Sequence, residues 1–282
     1  MVMNNIRAIL CADIHLSHVP PISRSVEPCW YSAQLRPLKQ LCRLQREYQV
    51  PVICAGDVFH KWNPPPELIN FALEQLPNML YAIPGQHDLP MHSYEDIKKS
   101  AYWTLVQTGK ILNLTPTSPI GVRDFRLHSF PWGFEPKPLT NPYGITQEWA
   151  VVHKYLWIKG KSYIGAPEAN RLKKCKGQFR GYDLVVVGDN HIPWVYKREN
   201  QVIVNAGSLM RRNIDQVDYK PAVWLVHHNN TVEPYYLDTS KDKFLETEDL
   251  KKVKVGGVSM AKFLQNILDL KDVTISFEEA VD

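Results

Sequence analysis

The feature that most constrains this chain is a recurrence. Short apolar runs are each followed at once by a motif of Asp and His. In order the motifs are Asp13-Ile14-His15, Gly56-Asp57-Val58-Phe59-His60, Gly85-Gln86-His87-Asp88, an isolated His153 and Gly188-Asp189-Asn190-His191. The runs before them, at 8–12, 50–55, 79–83, 149–152 and 184–187, have the length and apolar character of strands buried on both faces. Between the first three lie helical patterns. One covers 32–48, with Leu35, Leu38, Leu41 and Cys42 near helical spacing, and the next opens at Pro66, with Ile69, Leu73 and Leu76 on one face. This reads as a βαβαβ unit with parallel strands. In such sheets ligands bind outside the carboxyl ends of the strands, so the polar motifs are expected to converge in one crevice.

The second half shifts toward β-structure. A helix is expected over 94–108, stopped by Gly109. Short strands are expected at 125–130, 149–152, 184–187, 194–196, 202–205, 222–228 and 232–237, enough for a second sheet. Residues 197–201 read as a hairpin turn, and His227-His228-Asn229-Asn230 as another. Near the C-terminus Met260, Phe263, Leu264, Ile267 and Leu268 follow the i, i+3, i+4, i+7, i+8 pattern of an amphipathic helix.

Charge and cysteine content narrow the class only a little. The net charge of +4 permits a nucleic-acid partner without demanding one. Five cysteines, an odd number without CxxC spacing, suit reduced core residues rather than a disulfide framework. No signal-like or membrane-spanning run is visible, so the expectation is a cytoplasmic protein with no membrane partner.

Asp13, His15, Asp57, Gln86, His153, Asp189 and His191 together offer carboxylate, amide and imidazole donors. Seven ligands are too many for one tetrahedral zinc but suit two ions sharing a carboxylate. Such a pair clamps a phosphoryl group and generates hydroxide from water. With no thiolate among the donors, Mn2+ is the expected cofactor, with Mg2+ next and iron or zinc as further alternatives. Three groups remain for proton chemistry. His87 is the candidate acid for the leaving oxygen, Asp88 beside it would fix its tautomer, and His60 would hold a phosphate oxygen or orient His87.

The order and spacing of these blocks resemble the calcineurin-like metallophosphoesterase superfamily, whose pattern is D-x-H, G-D-x-x, G-N-H-D, a lone H and G-H-x-H. The resemblance implies a four-layer α/β/β/α sandwich of two mixed β-sheets flanked by helices, with a catalytic domain over 1–240. The segment 241–282 would be a small C-terminal α/β appendage, a reduced cap or a partner-docking helix. The G-D-x-F-H form, with Asn205-Ala206-Gly207-Ser208 further on, is most similar to the SbcD-type DNA nuclease subunits. That narrower resemblance implies exonuclease or endonuclease activity in DNA repair and recombination. Asn205, Ser208 and Arg211 would then be the residues that touch substrate.

For the metals, the resemblance implies one site from Asp13, His15, Asp57 and His191. The second would use Asp57 as bridge with Gln86, His153 and Asp189. Both departures from the family pattern fall in that second site: Gln86 stands where the family has Asn, and Asp189 where it has His. A second ion bound differently, and more weakly, is expected. SbcD-type subunits work with an SbcC-type coiled-coil ATPase, yet fewer than fifty residues follow Leu237 here. A full cap plus an ATPase-binding segment is not expected to fit, and homodimerisation stays open. Two other readings remain: a phosphatase or phosphodiesterase for protein or small-molecule esters, and a scaffold protein with an impaired metal site.

Overall fold

The computed structural model describes residues 5–140 and 147–246, with the backbone of 254–255 and 258–259. The first half builds one sheet around β1 (Ile6–Cys11), all six residues of which are buried. Parallel to β1 runs β2 (Val52–Cys54), then β3 (Leu80–Ala82), then β4 (Ile111–Asn113). The helices α1 (Trp30–Tyr48) and α2 (Pro66–Gln75) make the crossovers between β1, β2 and β3, and α3 (Ala101–Gln107) leads into β4. This is the expected parallel unit, extended by one strand.

A second sheet carries β5 (Ile120–Val122), β6 (Phe125–Phe130), β7 (Gln147–His153), β8 (Leu184–Gly188), β9 (Trp194–Arg198) and β10 (Gln201–Asn205), in the order β5-β6-β7-β8-β10-β9. The chain then returns to the first sheet. There β11 (Ala222–His227) pairs antiparallel with β1, and β12 (Val232–Tyr236) forms the edge beyond it. Both sheets are therefore mixed. They pack face to face through Ala8, Leu10, Ile53 and Ala55 on one side and Leu127, Trp149, Val151 and Val186 on the other. Helices α1 to α3 cover the outer face of the first sheet. The outer face of the second is covered by a thinner layer, with Leu172 of the short helix α4 (Leu172–Cys175) and Phe179 packed over Ala150, Val152 and Val185. Two mixed sheets flanked by helices are the expected α/β/β/α sandwich.

Several details differ from the expectation. In α1 the buried stripe is Ala33, Leu38, Leu41 and Leu44, with Leu35 and Cys42 only half-buried; in α2 it is Leu68 and Ala72, with Ile69 and Leu73 at its margin. The helix expected over 94–108 is two pieces. A 3-10 segment, Tyr94–Lys99, ends at Ser100, whose hydroxyl accepts from the Trp103 amide and so caps α3. The three-residue strands β4 and β5 were not expected, because three residues show no periodicity. The amphipathic helix expected near the C-terminus falls outside the described residues. The chain beyond β12 remains tied to the core as far as Leu245, whose amide donates to the carbonyl of Ser23. No helix among the described residues is long and apolar enough to cross a membrane.

Candidate metal centre

The motif loops keep pairing after their strands end. Asp13 N–H donates to the Gly56 carbonyl at 3.0 Å, and His15 N–H to the Asp57 carbonyl at 2.9 Å. The loops after β1 and β2 are thereby locked side by side. Within them Asp13, His15, Asp57 and Asp189 all have positive φ, at 50°, 50°, 54° and 82°. Left-handed backbone is unfavourable for these residue types by about 1–3 kcal/mol each, and it persists where surrounding structure enforces it. Here it turns four candidate ligands toward one point.

Asp57 sits at that point, fully buried. Its Oδ1 accepts from the His87 amide at 2.9 Å. Its Oδ2 has no hydrogen-bond partner and lies 3.5 Å from His15 Nε2 and 3.5 Å from His153 Nε2. Burial alone would raise the Asp57 pKa, but His153, His15 and His87 hold its carboxyl well below the usual range. An ionised, buried oxygen with no hydrogen bond is costly unless a cation stands beside it, and a protonated imidazole or a metal ion can each fill that role.

The glycines beside it are sterically required. A Cβ on Gly56 would overlap the His153 ring, and its φ of 99° suits glycine. A Cβ on Gly85 would overlap the Asp57 carboxylate.

Among the described residues three groups of candidate ligands occur, of which one is His15, His60 and His87 and the other two share Asp13. Donor atoms of Asp13, His15 and His191 lie within 4.8 Å of one another, as do those of Asp13, Asp57 and His153. In the first, His15 Nε2 and His191 Nε2 are 3.1 Å apart. Burial lowers both pKa values, which favours the neutral, metal-ligating imidazole. In the second, His153 Nδ1–H donates to the Ala55 carbonyl at 2.6 Å and directs Nε2 inward. Burial opposes a proton on His153, but Asp57, Asp189 and Asp13 raise its pKa to about 10. His153 would have to lose its Nε2 proton to act as a metal ligand. The donors are oxygens and nitrogens alone, a set that fits divalent metal ions.

The two departures from the family pattern meet each other. Gln86 Oε1 lies 2.5 Å from His153 Nε2, and Gln86 Nε2 donates to Asp189 Oδ1 at 2.8 Å. Asp189 is in turn tied by its amide to both oxygens of Asp13, at 3.1 Å each.

His87 and His60 stand together beside the first cluster, their rings stacked at 5.2 Å with an interplanar angle of 18°. His87 Nδ1 lies 2.9 Å from the backbone carbonyl of His60, so Nδ1–H donates there and Nε2 is free for the cleft. Asp88 does not touch this imidazole. Its fully buried carboxylate accepts from the amides of Phe59, Gly85 and Val58 at 2.8, 3.0 and 3.1 Å. The expected tautomer-fixing role of Asp88 is therefore corrected: the His60 carbonyl does that, and Asp88 clamps two motif loops together.

The expected substrate residues also do not face the cleft. Asn205 is fully buried and its amide holds the carbonyls of Asn190 and Ile192. Ser208, also buried, donates to the Met210 carbonyl at 2.7 Å. Arg211 pairs with Asp242 at 3.1 Å and donates to the Val217 and Thr239 carbonyls. Arg212 does line the cleft. Together with Lys61, Asn63 and the His15, His60, His87 and His191 imidazoles it bounds a space of 510 Å³. In the sequence it stands out only as half of the basic pair Arg211-Arg212 after Ser208, which either meets a DNA backbone or is solvated.

A model of the family described as calcineurin-like phosphoesterase matches residues 6–193. No curated protein matches the sequence. Among solved structures, the chain is similar to a putative 5'-nucleotidase from Staphylococcus aureus, at 10% identity and a TM-score of 0.47, over 86% of this chain and 56% of that one. A metallophosphoesterase from Sphaerobacter thermophilus gives 13% identity and a TM-score of 0.40, over 84% and 90%. A novel archaeal phosphodiesterase gives 12% and 0.40, over 82% and 99%.

Proposed function

The chain belongs to the calcineurin-like phosphoesterase family, whose members are metal-dependent hydrolases, and we propose that it is a two-metal phosphodiesterase that cleaves DNA, as an exonuclease or endonuclease of SbcD type. The observation that carries the two-metal reading is the unpaired Asp57 Oδ2, equidistant from His15 and His153. Asp13, His15, Asp57 and His191 would hold one divalent ion, and Asp57, His153, Gln86 and Asp189 the other. Such ions, Mn2+ or Mg2+ with this donor set, polarise phosphoryl oxygens and lower the pKa of water.

The chain's own residues supply the rest. Asp57, held by the His87 amide, fixes the spacing of the two clusters. Water attacks phosphorus opposite the leaving oxygen, giving up a proton to solvent, and the P–O bond to the leaving oxygen breaks. His87, whose Nδ1–H is committed to the His60 carbonyl, presents Nε2 to the cleft and would pass a proton from there to the leaving oxygen. Burial, followed by Arg212 and His87, lowers the His60 pKa to about 4, so His60 stays neutral at pH 7 and serves as a stacking and positioning partner.

A DNA substrate is supported by the cleft, which has cationic and histidine side chains but no carboxylate among its lining residues. The second ion is proposed to bind more weakly than the first. To receive it, Gln86 must exchange its bonds to His153 and Asp189 for coordination. Labelled single- and double-stranded DNA incubated with the protein and Mn2+ should be cleaved, and His87→Ala should lower kcat by about 10²–10⁴-fold. Turnover confined to small phosphate esters would remove the nuclease assignment and leave a phosphatase.

A further inference from the structure

Arg212 is a nearly buried cation that no carboxylate of the described residues neutralises. The neighbouring arginines are provided for: Arg24 and Arg36 share Glu27 and Asp242, and Arg211 takes the other oxygen of Asp242. Arg212, 7% exposed, instead donates to the His15 carbonyl at 2.7 Å and to Ser17 Oγ at 3.2 Å, with its guanidinium 5.8 Å from the Trp30 ring. Burial and then Arg24 lower its pKa to about 10, which still leaves it charged at neutral pH. An unpaired buried charge is costly, and the simplest compensation is an anion brought by a ligand.

Its position says which anion. The guanidinium is anchored on the backbone of His15, the same residue whose imidazole faces Asp57, so it lies in the cleft wall next to the candidate metal centre. Lys61 adds charge to the lining, while Val19, Pro20, Pro64 and Pro65 give it an apolar section. A cleft with a reaction centre, a second cationic station and an apolar section suits a chain of alternating phosphates and nucleosides.

We propose that Arg212 binds the phosphate adjoining the scissile one, with the proline-lined section receiving the nucleoside between them. The inference rests on the phosphodiesterase reading above and extends it: the preferred substrate is an oligomeric phosphodiester rather than an isolated ester.

The test is the salt dependence of binding. The full chain is titrated with a labelled single-stranded oligonucleotide by fluorescence anisotropy, in EDTA, over a series of NaCl concentrations. Each phosphate contact on a single strand contributes about 0.7 to the slope of log K against log salt. Arg212→Gln should flatten the slope by that amount and weaken binding roughly tenfold at low salt. Arg212→Lys should keep the slope. An unchanged slope in a folded Arg212→Gln protein overturns the proposal.

If Arg212→Gln does not fold, the wild-type protein decides. Replacing the phosphate next to the cleaved bond by a neutral methylphosphonate, on one side or the other, should lower kcat/KM about tenfold; no sensitive neighbour on either side overturns the proposal. Hydrolysis of bis-p-nitrophenyl phosphate with no oligonucleotide cleavage would end the nuclease reading alone, since an Arg212-dependent slope would still establish the phosphate station. A wild-type protein that neither binds nor cleaves oligonucleotides overturns both.

Discussion

Asp57 shows how much depends on single atoms in this centre. Its Oδ1 orients His87, and its Oδ2 lies unpaired between two imidazoles. Asp57→Asn keeps the shape but replaces an anionic acceptor by a group with two donors. It should weaken Mn2+ binding and lower DNA cleavage, each by at least about 100-fold, as followed by calorimetry and single-turnover kinetics. His153 gives a pH prediction. Its pKa is about 6.5 unfolded and about 10 in the metal-free fold, so the folded state binds the extra proton. Its contribution to stability is complete below pH 6.5 and is lost as pH rises through about 10. Melts of the protein in EDTA should show this loss. Mn2+ must displace the proton, so binding at pH 7.5 should release about one proton, read from calorimetry in buffers of different ionisation enthalpy.

At the scale of elements, the loops matter more than the strands they follow. Asp88 accepts three backbone amides, from Val58, Phe59 and Gly85. Asp88→Ala would leave buried donors unsatisfied and should cost about 3 kcal/mol by urea unfolding. His87→Ala should leave the midpoint nearly unchanged while removing activity. The contrast separates a clamp from a catalytic group.

What was legible in the sequence follows the same division. The run 184–187 announced β8 because an apolar strand covered on both faces has a composition of its own, and 125–130 announced β6 by the alternation of Phe125, Leu127 and Ser129 with half-buried Arg126, His128 and Phe130. The placement of Asp13 and Asp57 together followed from strand direction, and that of His153 and His191 with them from the family resemblance, since β7 and β8 lie in the other sheet. The partner of Asp88 was not legible, because sequence adjacency to His87 says nothing about direction in a tight 3-10 turn, Gln86–Asp88. Arg211 and Arg212 were indistinguishable by type, and only the fold sends one to Asp242 and the other to the cleft. The break at Ser100 was hidden because its cap uses a side chain that is also common inside loops.

Over the whole molecule, two sheets converge their carboxyl ends on one centre. The first contributes Asp13, His15, Asp57 and Gln86, the second His153, Asp189 and His191. Ions that bridge these groups should also hold the sheets together. A ligand present at 100 times its Kd adds about 2.7 kcal/mol to stability, so millimolar Mn2+ should raise Tm by several degrees and EDTA should reverse the shift.

The most direct test of a two-ion centre built on Asp57 is a calorimetric titration of the metal-free protein with Mn2+, alongside Asp57→Asn. Two ions per chain with unequal affinities, both severely weakened in Asp57→Asn, are expected. Absence of Mn2+ binding by the wild-type protein, or binding that survives Asp57→Asn unchanged, would contradict the account.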